Sequence, residues 1–315
     1  PLDWEGNEQR IASLLNQARE QGCEIALFPE LCLSGYGCED AFFRPDVCQA
    51  SAGVLERLLP LTQGMIAVFG LPYAFESNLY NVAAVVQNGR VLGLCPKRVL
   101  AKDGVHYEPR WFEAWPFGKV GTTTIAGGPC PIGDLRFRFG DWGLALEICE
   151  EAWGDRPSAL AHRSHVDLVL NPSASHFAMG KYKVREGIVT RNAADLETHY
   201  VYTNLLGLES GRVIYDGGVL HAHRGKICTA GRRFGFDDGQ VQVCSVAIDA
   251  PKSGAASPCE VAGDVVAGSE HATEAAPQTC GALSVEEEFL QAQTLGLFDY
   301  MRKTRSKGFV VSLSG

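Results

Sequence analysis

Three residues carry side chains that together could cleave an amide, and each sits where an apolar run ends. Glu30 follows Pro29 after Glu24-Ile-Ala-Leu-Phe28, Lys97 follows Pro96 after the run ending at Leu94, and Cys149 closes Gly143-Leu-Ala-Leu-Glu-Ile-Cys149. A cysteine sulfur attacks the amide carbon, a carboxylate moves the protons, and a fixed ammonium stabilises the tetrahedral oxyanion. A lysine beside the thiol is also expected to lower its pKa, because the thiolate is the reactive form. Singly, each residue has a plainer reading. A Glu or Lys after Pro is an ordinary solvated turn residue, and a Cys in an apolar run is a small core side chain. The three gain meaning if one sheet edge collects all three strand ends.

The surrounding pattern supplies such an edge. Ile11, Leu14, Leu15 and Ala18 recur at helical spacing and Gly22 reads as the C-cap, predicting a helix over 6–22. Strands are expected at 24–28, 64–71, 135–139, 143–149, 166–170, 200–206 and 218–227, the last with a turn at Arg224-Gly225. Asn88-Gly89 splits the apolar stretch 82–94 into a hairpin, since both residues tolerate positive φ. Helices fit at 156–163 and 184–197. Strands alternating with helices, with hairpins mixed in, predict an α/β layered domain with a mixed sheet over 1–250. From 251 to 283 the composition turns to Ala, Gly, Ser, Pro, Thr and Glu, which reads as a flexible linker. Ser284-x-x-Glu287 is a capping box opening a helix to about Lys307, followed by a strand at 309–313 that begins a second unit, 284–315.

The 315 residues suffice for one large domain plus the start of another. A net charge of −9 argues against nonspecific nucleic-acid binding, which needs clustered Lys and Arg. No apolar run approaches membrane-spanning length, and a cytoplasmic setting is expected. The eleven cysteines show no C-x-x-C pair and read as reduced thiols, with no metal site. Pro1 at the start and Ser-Gly directly after an apolar run at the end read as cuts, so a fragment of something longer is expected.

Phe28-Pro-Glu-Leu-Cys-Leu-Ser-Gly-Tyr36, Pro96-Lys97 with Tyr107-Glu-Pro-Arg-Trp-Phe112, and Ile148-Cys-Glu-Glu-Ala-Trp153 resemble the three signature segments of the nitrilase superfamily. Leu2-Asp-Trp-Glu-Gly-Asn-Glu-Gln-Arg-Ile11, Asn171-Pro-Ser-Ala-Ser-His176 and Tyr215-Asp-Gly-Gly218 resemble the glutaminase domain of the glutamine-dependent NAD⁺ synthetase family. Glu287 to Tyr300 and Lys307 to Gly315 resemble the entry to its synthetase domain. The resemblance implies a nitrilase-type α-β-β-α sandwich lacking its first strand, then a linker, then the first helix and strand of an ATP-pyrophosphatase-type domain. It implies Glu30 as general base, Lys97 as transition-state stabiliser and Cys149 as nucleophile. It implies further that Tyr36, Asp103, Glu108, Glu150, Ser175 and Lys181 bind glutamine, with Lys181 standing where many bacterial members have Arg, and Asp103 where they have Tyr. Ser312, Ser314 and Gly315 fall at the start of the family's ATP-binding loop, which with Mg would serve a complete synthetase acting on deamido-NAD⁺. A homo-oligomer is expected. Two other readings stand beside this one: a stand-alone nitrilase-type amidase or carbamoylase, and an inert assembly module.

Overall fold

The computed structural model describes residues 1–248, 251–252, 259–265 and 283–313. Its centre is a pair of sheets packed face to face. The first runs β1 (Ile25–Leu27), β2 (Ile66–Phe75), β3 (Asn78–Gln87), β4 (Arg90–Pro96), then β6 (Gly128–Gly133) and β5 (Val120–Ile125) at the far edge. The second is ordered β14 (Lys226–Ala230), β13 (Val219–His223), β10 (His199–Asn204), β9 (Leu168–Ser173), β8 (Trp142–Leu146), β7 (Arg136–Phe139) and β15 (Glu260–Gly263). Parallel pairs (β1·β2, β8·β9, β9·β10) sit beside antiparallel ones (β2·β3, β3·β4, β10·β13), so both sheets are mixed.

Alternation along the strands divides the side chains between two faces. Ile66, Val68, Ala83 and Val85 meet Phe137, Leu144, Leu168 and Leu170 in the core between the sheets. Ala67, Phe69, Val82 and Ala84 point the other way, onto Ile11 and Leu15 of α1 (Trp4–Glu20) and Val54, Leu55 and Leu58 of α2 (Pro45–Leu58). On the opposite surface Val169, Tyr200 and Leu220 pack on Val189, Ala193 and Leu196 of α3 (Lys181–Leu196). The layers are therefore α-β-β-α, as the resemblance implies, with the mixed pairing that the residue pattern predicts.

Local chemistry explains the connections. Asn88 and Gly89 take φ of 50° and 75°, the left-handed pair that a two-residue hairpin requires. The turn at Arg224-Gly225 does the same between β13 and β14. A short hairpin of β11 (Leu206–Glu209) and β12 (Val213–Asp216) leaves the second sheet after β10. Helix α4 (Val285–Thr304) starts at the expected Ser284/Glu287 capping box and packs on that hairpin. The buried Asp299 carboxylate accepts from Leu208 N at 2.7 Å.

Several elements differ from the sequence reading. Residues 158–162 form one short 3₁₀ turn instead of a helix over 156–163, since Pro157 and the tight run into β9 leave no room for more. Within the expected linker, Glu260–Gly263 form β15, parallel to β7, with Arg136 Nε 3.1 Å from Glu260 Oε2. The charged, small-residue composition hid a strand whose stability comes from its partner. Helix α4 stops at Thr304 with Arg305 left-handed, three residues early. Residues 309–313 form no strand: Val310 and Leu313 are 99% and 91% exposed, because no described strand pairs with them. Residues 253–258 and 266–282 of the linker reading, with Ser314 and Gly315, lie outside the described residues.

Candidate active site

The catalytic candidates converge where strands of both sheets end. Glu30 leaves β1 through Pro29, Lys97 leaves β4, and Cys149 follows β8 after Glu147 and Ile148. The strand thus stops at Leu146, three residues before the thiol. Cys149 itself has φ of 44°, a left-handed conformation unusual for a side chain with a Cβ, and it opens a 3₁₀ turn over 149–152. The opposing loop is pressed close as well. Gly70 of β2 lies so near it that a Cβ would stand 2.2 Å from Leu31 N.

Lys97 is wholly buried and donates to Glu30 Oε1 at 2.6 Å and Glu108 Oε1 at 2.8 Å. Glu30 also accepts from Asn81 Nδ2 at 2.7 Å and, on its other oxygen, from the Ala174 amide at 2.9 Å. Glu108 accepts from the Tyr36 hydroxyl at 2.9 Å and the Ala101 amide at 2.7 Å. Two carboxylates thus share one ammonium in a dry setting. Burial pushes the Glu30 carboxyl up, to about 7; the Lys97 charge opposes the shift and Glu108 adds to it. Burial disfavours the Lys97 charge too, but Glu108 and Glu30 outweigh it and hold the ammonium well above its ordinary range.

The thiol behaves differently from the sequence expectation. Burial pushes Cys149 well above the ordinary thiol range and the Glu30 charge adds to this; Lys97 pulls downward but loses. The resting sulfur is therefore a neutral thiol. A nucleophilic role for it would need a base, and Glu30, with a pKa of about 7, is suited to that task.

The turn bearing Cys149 is tied to the strand bearing Lys97 by Arg98 and Glu151. Glu151 Oε1 accepts from Arg98 N at 2.6 Å and Nε at 2.9 Å, and Oε2 accepts from Ile148 N at 2.7 Å. Arg98 also donates to Leu146 O at 2.9 Å and to Asp134. One guanidinium and one carboxylate thereby fix the residue after the lysine against the residue before the cysteine.

Of the candidate substrate contacts, Tyr36 and Glu108 belong to the charged cluster. Ser175 is 3% exposed and its hydroxyl has no partner, an orphan polar group that a ligand would satisfy. Lys181 opens α3 and lies 5.3 Å from the centre of the Trp153 ring. Burial lowers its pKa to about 8, with the Arg185 charge adding. Glu150 is half-buried, and burial raises its carboxyl. Asp103 is exposed on the 102–107 loop and reaches this group only as a charge acting on Glu150. Ser312 lies exposed in the extended tail, apart from the cluster.

Sequence reasoning missed Asn81, Arg98, Glu151, Asn204 and His106. Asn204 cross-links Ser175 through both its amide and carbonyl, at 2.8 and 2.9 Å. His106 stands 3.1 Å from the Tyr36 hydroxyl. The only available signals were the Lys97-Arg98 and Glu150-Glu151 doublets. A separate cleft of about 1360 Å³ runs along β1, α1 and residues 239–246; none of Glu30, Lys97 and Cys149 lines it. No group of metal-ligating side chains occurs among the described residues, and no described helix is long and apolar enough to cross a membrane.

The carbon-nitrogen hydrolase family model matches residues 1–256. A glutamine-dependent NAD(+) synthetase from Bos taurus is 30% identical over all of this chain, which spans 48% of that protein. The Homo sapiens protein of the same name is 28% identical with the same coverage. The crystal structure of a glutamine-dependent NAD(+) synthetase from Cytophaga hutchinsonii superimposes with a TM-score of 0.82 at 37% identity, covering 100% of this chain and 47% of that one. An amidase of the nitrilase superfamily from Nesterenkonia, at 20% identity and a TM-score of 0.59 over 74% of this chain, shares the fold. The chain spans about half the length of the curated relatives it matches. By sequence over residues 1–256, the chain belongs to the carbon-nitrogen hydrolase family.

Proposed function

We propose that this chain is the glutamine-hydrolysing half of a glutamine-dependent NAD⁺ synthetase, releasing ammonia for amidation of deamido-NAD⁺. The observation that carries the reading is the buried Glu30–Lys97–Glu108 cluster at the strand ends where the left-handed Cys149 turn also lies. Ionised Glu30 takes the Cys149 proton as the sulfur attacks the side-chain carbonyl carbon of glutamine. The oxyanion that forms meets the Lys97 ammonium, which its two carboxylates hold in place. Protonated Glu30 then returns its proton to the departing nitrogen. Ammonia leaves, and a γ-glutamyl thioester remains on Cys149. Water, losing a proton to Glu30, adds to the thioester; the second collapse frees glutamate and restores the thiol.

Lys181 and Ser175 are suited to hold the polar end of glutamine: one offers an ammonium, the other a buried hydroxyl without a partner. The relatives named synthetase match the whole chain, including α4 and the tail, which lie outside the carbon-nitrogen hydrolase match. That extension favours a synthetase over a stand-alone amidase. In the relatives' full length, ATP with Mg would activate the acceptor carboxylate, and Ser312 to Gly315 would open the loop that holds the nucleotide. The test joins this chain to a synthetase half and compares nitrogen donors. Cys149→Ser is expected to abolish NAD⁺ formation from glutamine while added ammonia still supports it. Glutamine-driven synthesis surviving in that variant contradicts the reading.

A further inference from the structure

Beyond the charged cluster, an unbroken line of contacts leads outward from Glu108. The Tyr36 hydroxyl lies 2.9 Å from Glu108 Oε1 and 3.1 Å from His106 Nδ1. His106 Nε2 lies 2.8 Å from His176 Nδ1. Lys181 Nζ lies 3.2 Å from Nδ1 and 3.5 Å from Nε2 of His176. The chain comes from four separate places: the loop after β1, the 102–107 loop, the exit of β9 and the first residue of α3.

Proton counting fixes its direction. Tyr36 has one O–H, and the Glu108 carboxylate can only accept, so that hydrogen goes to Glu108. The Tyr36 oxygen must then accept from His106, which puts the His106 proton on Nδ1. His106 Nε2 and Lys181 Nζ both approach His176 Nδ1, at 2.8 and 3.2 Å; the shorter contact gives the Nδ1 proton to the bare Nε2 of His106, so the ammonium, flanking the ring edge, has His176 Nε2 at 3.5 Å as the acceptor open to it. Every donor points from Lys181 toward Glu108. A second proton on either ring would set two N–H groups face to face, so both imidazoles are held neutral. Their environment agrees: burial lowers His106 to about 3, helped by His176 and Lys181, and burial lowers His176 to about 4, helped by Lys181 and Arg185.

The geometry points to His106 and His176 as positioning residues that hold the Lys181 ammonium for the carboxylate of the substrate, anchored through Tyr36 on Glu108. This rests on the glutaminase reading. One Lys181 donor is spent on His176, and the remaining two are left to meet an anionic group at a fixed distance from Cys149. A lysine lacks the rigid fork of an arginine, so its direction must be set by what it is bonded to. The neutral His pair supplies that direction without adding a competing charge.

Two variants test it, His106→Phe and His176→Phe, each keeping a ring while removing both nitrogens, with His176→Gln as the conservative control that restores an acceptor. Glutamate release from glutamine gives KM and kcat, and alkylation of Cys149 by iodoacetamide, a neutral reagent, reports the thiol independently. The expected result is a KM raised about 10-fold in both Phe variants with kcat within about 3-fold. Iodoacetamide rates should stay within about 2-fold of wild type, and His176→Gln should recover most of the KM. An unchanged KM in both Phe variants overturns the assignment. So does a fall in kcat at constant KM, or a loss of alkylation in step with activity, which would mark a merely structural role. A wild-type chain that releases no glutamate overturns the glutaminase reading itself, a result separate from any of these.

Discussion

Glu108→Gln removes one of the two charges that share Lys97 while keeping the shape of the side chain. Both carboxylates bond the same Nζ, at 2.6 and 2.8 Å, so their oxygens lie within roughly 5 Å of each other. At an effective dielectric of about 20, like charges at that separation repel by about 3 kcal/mol, equivalent to about 2 pH units. Loss of Glu108 also leaves the Lys97 charge directed at Glu30 alone, which works in the same direction. Burial still holds Glu30 up, so a net downward movement of about 1–2 pH units is expected. Glu30 as base must be ionised, and its pKa of about 7 makes the wild-type kcat/KM rise through neutrality. In Glu108→Gln this acid limb should move to near pH 5–6, and the plateau above it should drop about 10-fold or more as the base weakens. The assay is glutamate release from glutamine between pH 5 and 9, with circular dichroism to verify the fold. An acid limb that stays near 7, or moves upward, refutes the view that Glu108 sets the basicity of Glu30.

Two further outcomes follow from the supports of the site. Arg98→Met strips the partner from Glu151 and Asp134, both buried, and should lower stability by about 3–5 kcal/mol in chemical denaturation; a loss below about 1 kcal/mol would contradict the buried-network account. Gly70→Ala places a methyl 2.2 Å from Leu31 N, so the Glu30 loop must shift, and kcat should fall by about 10- to 100-fold while the chain stays folded; near wild-type turnover would show that the loop tolerates the displacement.

The catalytic candidates were legible because each is a reactive residue type standing at an apolar run's end, a position that burial pattern and Pro29 or Pro96 mark plainly. What holds them was not. Asn81 sits within the apolar run of β3, and Arg98 adjoins Lys97; a single polar residue at a sheet edge leaves no periodic trace. Their roles depend on Glu30 and Glu151, tens of residues away. The sign of the Cys149 shift was also hidden. Sequence shows that a lysine is available, while only the closed packing shows that burial and Glu30 outweigh it. The same dependence on distant partners explains β15, found in a stretch read as linker, and the missing strand at 309–313. A helix start marked by its own residues was legible, as Ser284 and Glu287 show at α4, whereas the helix expected at 156–163 is a 3₁₀ turn and α2, which has no side-chain cap, was not read from the sequence.

The most direct test is acid quenching of the chain during turnover of glutamine, followed by peptide mapping of all its thiols. The account predicts one γ-glutamyl group, on Cys149, and its disappearance together with glutamate release in Cys149→Ala. A γ-glutamyl group on another cysteine, or glutamate release persisting in Cys149→Ala, would contradict it.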